Sequence, residues 1–174
     1  MKSKATVFTV LALVASLSRL LPHYPNFTAM GALAFYTAYS GKNIWRSLAL
    51  MAGIMMVTDL ILNNIVYPSG EFVLMYAGSL FTYVGFAAYS LTGYFSKTRK
   101  GAALGLITAS LIFFAISNFG VWISAFSPYP KTETGLLAAY TAAIPFYAPE
   151  LLSSVIFSAI AGFAESRIKA TVNA

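Results

Sequence analysis

Several polar side chains interrupt otherwise apolar segments, and they are the candidates for binding or catalysis. Asp59 and Asn63 are four residues apart, so a helix would place both on one face. Asn118 and Trp122 repeat that spacing later in the chain. Polar groups in apolar segments normally face a bundle interior or an aqueous cavity. The pattern therefore indicates a polar cluster that could bind a small solute.

Other candidates lie near the ends of these segments. Arg19 offers a rigid fork of donors suited to a carboxylate or a phosphate, and Asp59 or Glu150 could instead be its internal partner. Each candidate also has a structural alternative, in helix pairing, in a loop or in an interfacial belt of aromatic residues. We predict that nine residues contact a substrate: Arg19, His23, Asn26, Asp59, Asn63, Asn118, Trp122, Tyr140 and Glu150.

Catalysis has little support in the sequence. The chain has no cysteine and one histidine, which excludes thiolate sites and metal or haem sites built from several histidines. A serine nucleophile would need a base, and His23 has no acidic residue close to it in sequence. Gly101 and Gly105 lack the Lys and Ser or Thr of a phosphate-binding loop. We therefore expect no enzyme activity, no metal and no cofactor.

Composition indicates the kind of fold that holds these residues. Hydrophobic residues make up 59% of the 174 residues and charged residues 9%, whereas soluble domains carry roughly 25% charge. The mean hydropathy is +0.74. The sequence therefore predicts an all-α integral membrane protein with a single domain over 1–174. Its net charge of +6 then reflects orientation in a bilayer and does not indicate a nucleic-acid partner.

A membrane-spanning helix needs about 20 predominantly apolar residues. On that basis we predict six spans, at about 5–21, 27–40, 45–67, 72–95, 101–126 and 146–164. Because Pro145 and Pro149 fall in the last region, we predict a short external segment near 134–144 before the sixth span. One long kinked helix is the alternative. The first 20 residues resemble a signal peptide, but we expect them to be retained as the first span.

The distribution of cations predicts the orientation, because Lys and Arg accumulate in cytoplasmic loops. With both termini in the cytoplasm, the inner segments hold nine of the 11 cations. These are Lys2, Lys4, Lys42, Arg46, Lys97, Arg99, Lys100, Arg167 and Lys169.

The polar candidates fall mainly in the outer halves of the predicted spans. The inner halves are apolar, as at Leu48 and Met51 or at Leu104 and Ile107. A channel or a proton relay would need polar groups at all depths. The asymmetry therefore favours an outward-facing pocket.

The stretch 19–28, RLLPHYPNFT, together with Asn118–Trp122, resembles the signature of an uncharacterised family of small bacterial membrane proteins. The size, six spans and inner termini are also similar to the substrate-binding S components of energy-coupling factor vitamin transporters. That resemblance implies a bacterial inner-membrane protein that binds a vitamin-like solute. It also implies a membrane coupling subunit and cytoplasmic ATPases as partners, with cobalamin as the first candidate ligand.

Two other hypotheses remain open. The chain could be a non-catalytic accessory subunit of a larger membrane complex, or an intramembrane enzyme or lipid-handling protein. A solute-binding protein predicts a cavity with a closed bottom, lined by Asp59, Asn63, Asn118 and Trp122. An accessory subunit predicts that these residues pack together without a void.

Overall fold

The structure, a computed structural model, describes residues 2–172 and folds them into six α-helices with no strand in that range. The prediction of an all-α chain with six helices is confirmed. Residues 1, 173 and 174 of the predicted single domain lie outside the described part. The helices are α1 (Lys2–Leu20), α2 (Met30–Gly41), α3 (Ile44–Ile61), α4 (Ser79–Phe95), α5 (Arg99–Ile123) and α6 (Glu133–Val172). A π-helical turn, Leu62–Val66, continues α3.

Two helix starts are set by capping side chains. Lys42 adopts the left-handed conformation with φ of 52°, and the Asn43 side chain then accepts a hydrogen bond from Arg46 N at 2.9 Å. These two residues make the turn between α2 and α3. The Thr98 hydroxyl caps α5 in the same way, accepting from Gly101 N at 3.0 Å.

Three segments are long and apolar enough to cross a membrane. They are Ile44–Val66, Arg99–Ile123 and Glu133–Val172, with mean hydropathies of 1.7, 1.9 and 1.4. The prediction of six spans is therefore met only in part. α2 has 12 residues, which is about 18 Å of helix, whereas the hydrocarbon core is about 30 Å thick. α4 has 17 residues, and α1 has 19 but carries Lys2, Lys4 and Arg19.

The predicted break before the sixth span is wrong, because α6 is one continuous helix of 40 residues with Pro145 and Pro149 inside it. Proline lacks the amide hydrogen that bonds to the preceding turn, but neighbouring helices and hydroxyls can satisfy the freed carbonyls in a membrane bundle. Glu150 consequently lies 17 residues after Glu133, about 26 Å along the helix. We expected it close to the outer end of a span, and it is near the middle.

The fourth helix begins at Ser79, later than the predicted start at 72. The preceding segment 67–78 is held against the end of α3 by Asn64. Its Nδ2 donates to Val73 O at 2.9 Å, and its Oδ1 accepts from Val73 N at 2.8 Å. The backbone N–H and C=O of Val73 are therefore both hydrogen-bonded to Asn64. The segment 67–78 forms a connection across the end of the bundle where α3 finishes.

The short helix α2 is the centre of the bundle. Its first nine residues are buried, and it packs against α1, α3, α4 and α6. Two glycines allow the close approach. A Cβ added at Gly31 would overlap the Ser154 hydroxyl of α6, and one added at Gly93 of α4 would overlap the Phe35 carbonyl. A side chain at either position would push the helices apart.

Hydroxyl groups join three helices within this core. Thr37 Oγ1 donates to Ser47 Oγ at 2.9 Å, and Ser47 Oγ lies 2.8 Å from Ser90 Oγ. The contacts connect α2, α3 and α4 through buried side chains. Small hydroxyl residues are a common means of joining helices where surrounding lipid supplies no hydrophobic drive for association.

Contacts at one end of the bundle bring most of the cations together. Lys4 Nζ donates to Ser40 O, Lys42 Nζ donates to Ser96 O at 2.5 Å, and Ser40 Oγ donates to the Glu165 carboxylate. The start of α1, the α2–α3 turn, the α4–α5 connection and the end of α6 therefore share what we call the cationic end. The opposite end, where α1, α3 and α5 finish, is the cavity end.

Candidate functional site

A cavity of about 360 Å³ opens at the cavity end and extends between the helices. It is partly open to the exterior, with walls from α1, α4, α5, α6 and the connections 21–29 and 67–78. Five of the nine predicted contact residues line it: Arg19, His23, Asn26, Asn118 and Glu150. Whether they contact a solute stays a prediction.

Arg19 forms a buried ion pair with Asp59. Its Nη2 donates to Asp59 Oδ1, and its Nε donates to Thr58 Oγ1 at 2.8 Å. Tyr83 OH donates to Asp59 Oδ2 at 3.0 Å. Asp59 is 3% exposed and lies behind Arg19, outside the cavity lining. Of the two partners that the sequence left open for Arg19, the structure has Asp59.

Glu150 lies at the inner end of the cavity, in the middle of α6. Tyr89 OH donates to its Oε1 and Ser110 Oγ to its Oε2, each at 2.5 Å. Ser154 Oγ, one turn along α6, also donates to Oε1, at 3.2 Å. Three hydroxyls from α4, α5 and α6 therefore hold this carboxylate, which is 4% exposed.

Aromatic rings form two of the walls around Glu150. Phe86 and Phe113, from α4 and α5, have centroids 4.4 Å apart. Phe114 meets Tyr147 of α6 edge to face at 5.5 Å. All four rings line the cavity, as does Phe146. The cavity lining therefore combines one carboxylate with several aromatic rings.

Polar groups ring the mouth of the cavity. His23 and Asn26 are exposed in the 21–29 connection, and Asn26 adopts φ of 63°, a left-handed conformation that asparagine tolerates. Asn118 Nδ2 donates to Phe114 O at 2.8 Å within α5. Its Oδ1 is left without a protein partner in the described chain and can accept a hydrogen bond from a solute.

The remaining three predicted residues lie outside the cavity lining. Asn63 is in the π-helical turn, and its Nδ2 is buried with no hydrogen-bond partner among residues 2–172. Trp122 Nε1 donates to Pro130 O at 2.9 Å, and Tyr140 OH donates to Ala115 O at 2.6 Å. These last two contacts fasten the α5–α6 connection and the start of α6.

Sequence reasoning missed the hydroxyl donors to the carboxylates. Tyr83, Tyr89 and Ser110 lie in apolar helices, where each hydroxyl needs a partner. That requirement was a usable signal, since a hydroxyl in an apolar span indicates a polar neighbour on another helix. The aromatic walls carried no comparable signal, because Phe86 and Phe113 have the pattern of ordinary core residues.

No group of three or more His, Cys, Asp or Glu side chains in the described part of the chain could hold a metal ion. The arrangement around Glu150 also lacks a base and nucleophile pair of the Ser-His type, because the one histidine is at the mouth. The cavity presents one carboxylate, aromatic side chains and the polar groups of the mouth.

Comparison with protein families matches residues 1–171 to a family of unknown function, DUF6580. The chain belongs to this family. The resemblance of the sequence to an uncharacterised family is confirmed at that level, and its similarity to S components stays a prediction. No curated protein and no solved structure matches the chain.

Proposed function

We propose that this protein is a non-enzymatic, multi-pass membrane protein that binds a small organic solute for uptake. The observation that carries the proposal is the cavity itself, whose polar mouth leads to a buried carboxylate between aromatic walls. Such a combination of apolar surface with a few placed polar groups is typical of sites for small molecules.

The void supports this proposal over the accessory-subunit hypothesis, although of the four residues predicted to line it, Asp59, Asn63, Asn118 and Trp122, only Asn118 does. An accessory subunit predicts that the polar side chains pack directly against one another, as Arg19 and Asp59 do. Around Glu150, Asn118 and the mouth residues, a volume of about 360 Å³ is left between the side chains. Closely packed cores contain few voids larger than a water molecule, so an accessory role gives no reason for this one.

The closed inner end supports binding over conduction. On the side of Glu150 that leads to the cationic end, the bundle holds fully buried side chains, among them Tyr89, Ser154 and Phe35. A solute bound at Glu150 would need a conformational change to proceed. We therefore propose, in line with the S-component resemblance, that a membrane coupling subunit and cytoplasmic ATPases drive release in a bacterial inner membrane.

The volume of the cavity limits the size of the solute. It is near the lower end of the roughly 300–1,000 Å³ of known ligand pockets, which suits a ligand of one or two rings. Cobalamin, with a corrin ring and a nucleotide tail, is larger than this space and would have to project through its open mouth. We accordingly propose a vitamin-like compound of smaller size.

Small-molecule mass spectrometry of the gently purified protein tests the proposal. We expect the wild type to retain an enriched compound, and Ala143→Phe, which fills the cavity, to lose it. Ala142→Phe is the matched control, because residue 142 is exposed on the outside of the same helix. If the wild type retains no enriched compound, or if Ala143→Phe retains it equally, the cavity is not a solute site.

Uptake requires the cavity end to face outward, which cysteine labelling tests without background because the chain has no native cysteine. Thr98 at the cationic end and Ser69 at the cavity end are both exposed. In intact spheroplasts a membrane-impermeant thiol reagent should label Ser69→Cys and spare Thr98→Cys. The reverse pattern would place the mouth in the cytoplasm and exclude uptake through it.

A further inference from the structure

We propose that the solute is a small organic cation, with the Glu150 carboxylate as its counter-ion and the aromatic rings beside Glu150 as its second contact. This inference rests on the proposed function and gives the chemical class of the ligand. It follows from charge, from hydrogen-bond capacity and from the surface around the carboxylate.

The three buried acids, Asp59, Glu150 and Glu165, differ in whether a basic side chain pairs with them. Asp59 pairs with Arg19, and Glu165 pairs with Lys169 at 2.5 Å. Among the described residues, no Lys, Arg or His nitrogen lies within ion-pair distance of Glu150. An unmatched buried carboxylate is costly even when hydrogen-bonded. A bound cation would supply the charge that the protein does not.

The hydrogen bonds to Glu150 leave room for a further donor. A carboxylate has about four acceptor positions. Oε1 accepts from Tyr89 and Ser154, whereas Oε2 accepts from Ser110 alone. One position on Oε2 is therefore free in a side chain that borders the cavity, and an ammonium N–H can occupy it.

The aromatic surface favours the same class of ligand. Phe86, Phe113, Phe114 and Tyr147 line the cavity with Glu150. Aromatic faces attract cations, and the attraction strengthens where water is excluded. A carboxylate with several rings around it is thus complementary to an ammonium group that carries an apolar body.

Arg19 does not turn the cavity into an anion site. Its charge is paired with Asp59, and its Nε and Nη2 already donate to Thr58 and Asp59, so Arg19 brings no unpaired positive charge to the cavity. His23 is the other basic side chain at the cavity, and it is exposed at the mouth, not beside Glu150.

Three probes of similar size distinguish the classes: 2-phenylethylamine, 2-phenylethanol and phenylacetate. Binding is measured calorimetrically at pH 7 with the full chain in detergent. We expect the amine to bind at least 10-fold more tightly than the alcohol and phenylacetate to bind most weakly. Glu150→Gln should remove the preference for the amine while leaving the melting temperature of the empty protein unchanged or raised, because it removes the unmatched charge.

Glu165→Gln is the matched control, since it makes the same change at a buried acid outside the cavity, and it should keep the wild-type preference. Equal binding of amine and alcohol, or tighter binding of phenylacetate, would overturn the cation while leaving the solute site in place. An unchanged amine preference in Glu150→Gln would remove Glu150 as the counter-ion. Failure of all three probes, together with no retained compound in the wild type, would overturn the proposed function as well.

Discussion

Glu150 and Glu165 lie fifteen residues apart on α6 and have closely similar surroundings. Both are buried, at 4% and 5% exposure. Each accepts from one tyrosine and one serine on other helices, Tyr89 and Ser110 for Glu150 and Tyr36 and Ser40 for Glu165. They differ one helical turn further on, where the partner is Ser154 for Glu150 and Lys169 for Glu165.

The same hydroxyl arrangement therefore occurs around an acid with a basic partner and around an acid without one. Position 154 has no room for a lysine, because Ser154 is fully buried and packs against Gly31. Position 169 is at the cationic end, where the Lys169 side chain is 51% exposed and can reach water. Glu165 has a basic partner, Lys169, and we call it a matched acid; it joins helices. Glu150 has no basic partner among the described residues, and this unmatched acid borders the cavity. Asp59, with Arg19 as its partner, belongs with the matched acids.

The largest expected effect is the loss of a matched acid. Asp59→Leu leaves the Arg19 guanidinium nearly buried without its counter-ion and removes the acceptor of Tyr83. We expect the free energy of unfolding to fall by about 3 kcal/mol, the lower end for a broken buried pair, since Arg19 borders the cavity. Equilibrium unfolding in mixed micelles measures this.

The control for that prediction is the double variant Arg19→Met with Asp59→Leu. Replacing both partners by apolar residues removes the stranded charge, so the double variant should be more stable than Asp59→Leu alone. If Asp59→Leu has the same free energy of unfolding as the wild type, acids with a basic partner do not stabilise the fold. The contrast between them and Glu150 would then be wrong.

Removal of the tyrosine donors should have unequal effects on the two glutamates. Tyr89→Phe takes one of three donors from an acid with no cation, and we expect a loss of about 1.5–3 kcal/mol of unfolding free energy. Tyr36→Phe leaves Ser40 and Lys169 on Glu165, so its cost should be closer to 1 kcal/mol. Equal losses of unfolding free energy in the two variants would show that the Lys169 ion pair does not make Glu165 less dependent on its tyrosine than Glu150 is.

A substitution at Gly31 tests the tight packing that keeps a cation away from position 154. Gly31→Ala would overlap Ser154 Oγ, and we expect a loss of about 1–3 kcal/mol from overpacking. Gly53→Ala on α3 is the control, because a Cβ there meets nothing within 4 Å. It should stabilise the protein slightly, as alanine favours a helix over glycine. Similar results for both glycines would contradict the steric explanation.

The smallest expected effect is at the exposed partner of Glu165. Because half of the Lys169 side chain is in solvent, its ion pair is screened, and Lys169→Gln should cost roughly 0.5 kcal/mol. The loss should shrink further at high salt. A cost of several kcal/mol would mean that Glu165 depends on Lys169 far more than its two hydroxyl partners suggest.

Much of the helical framework could be predicted from the sequence, because apolar segments and cation distribution are local signals. The same cation pattern anticipated which connections would share an end of the bundle, as the contacts of Lys4 and Lys42 show. One error, the break predicted before the sixth span, came from a rule of soluble proteins. Pro145 and Pro149 end helices in water, but a membrane bundle accommodates them.

The candidate site was less accessible to sequence reasoning. Arg19 and Asp59 could be proposed as partners, since charged groups in apolar segments must pair. The partners of Glu150 come from three helices, and no spacing along the chain connects Tyr89 with Ser110. Asp59 and Asn118 each lie about eight residues from the outer end of their predicted spans, yet only Asn118 borders the cavity, because depth does not fix the direction of a side chain.

The brevity of α2 has an electrical consequence. A helix of 12 residues falls about 12 Å short of spanning the hydrocarbon, and the 21–29 connection completes that side of the cavity with His23 and Asn26. Irregular backbone at such depth is tolerated where it lines water. In the proposed membrane orientation a hydrated mouth would conduct ions, and the potential would drop mainly across the packed half beyond Glu150. A cation would then reach Glu150 at little electrical cost or gain, and the voltage would act on it only during release towards the cationic end.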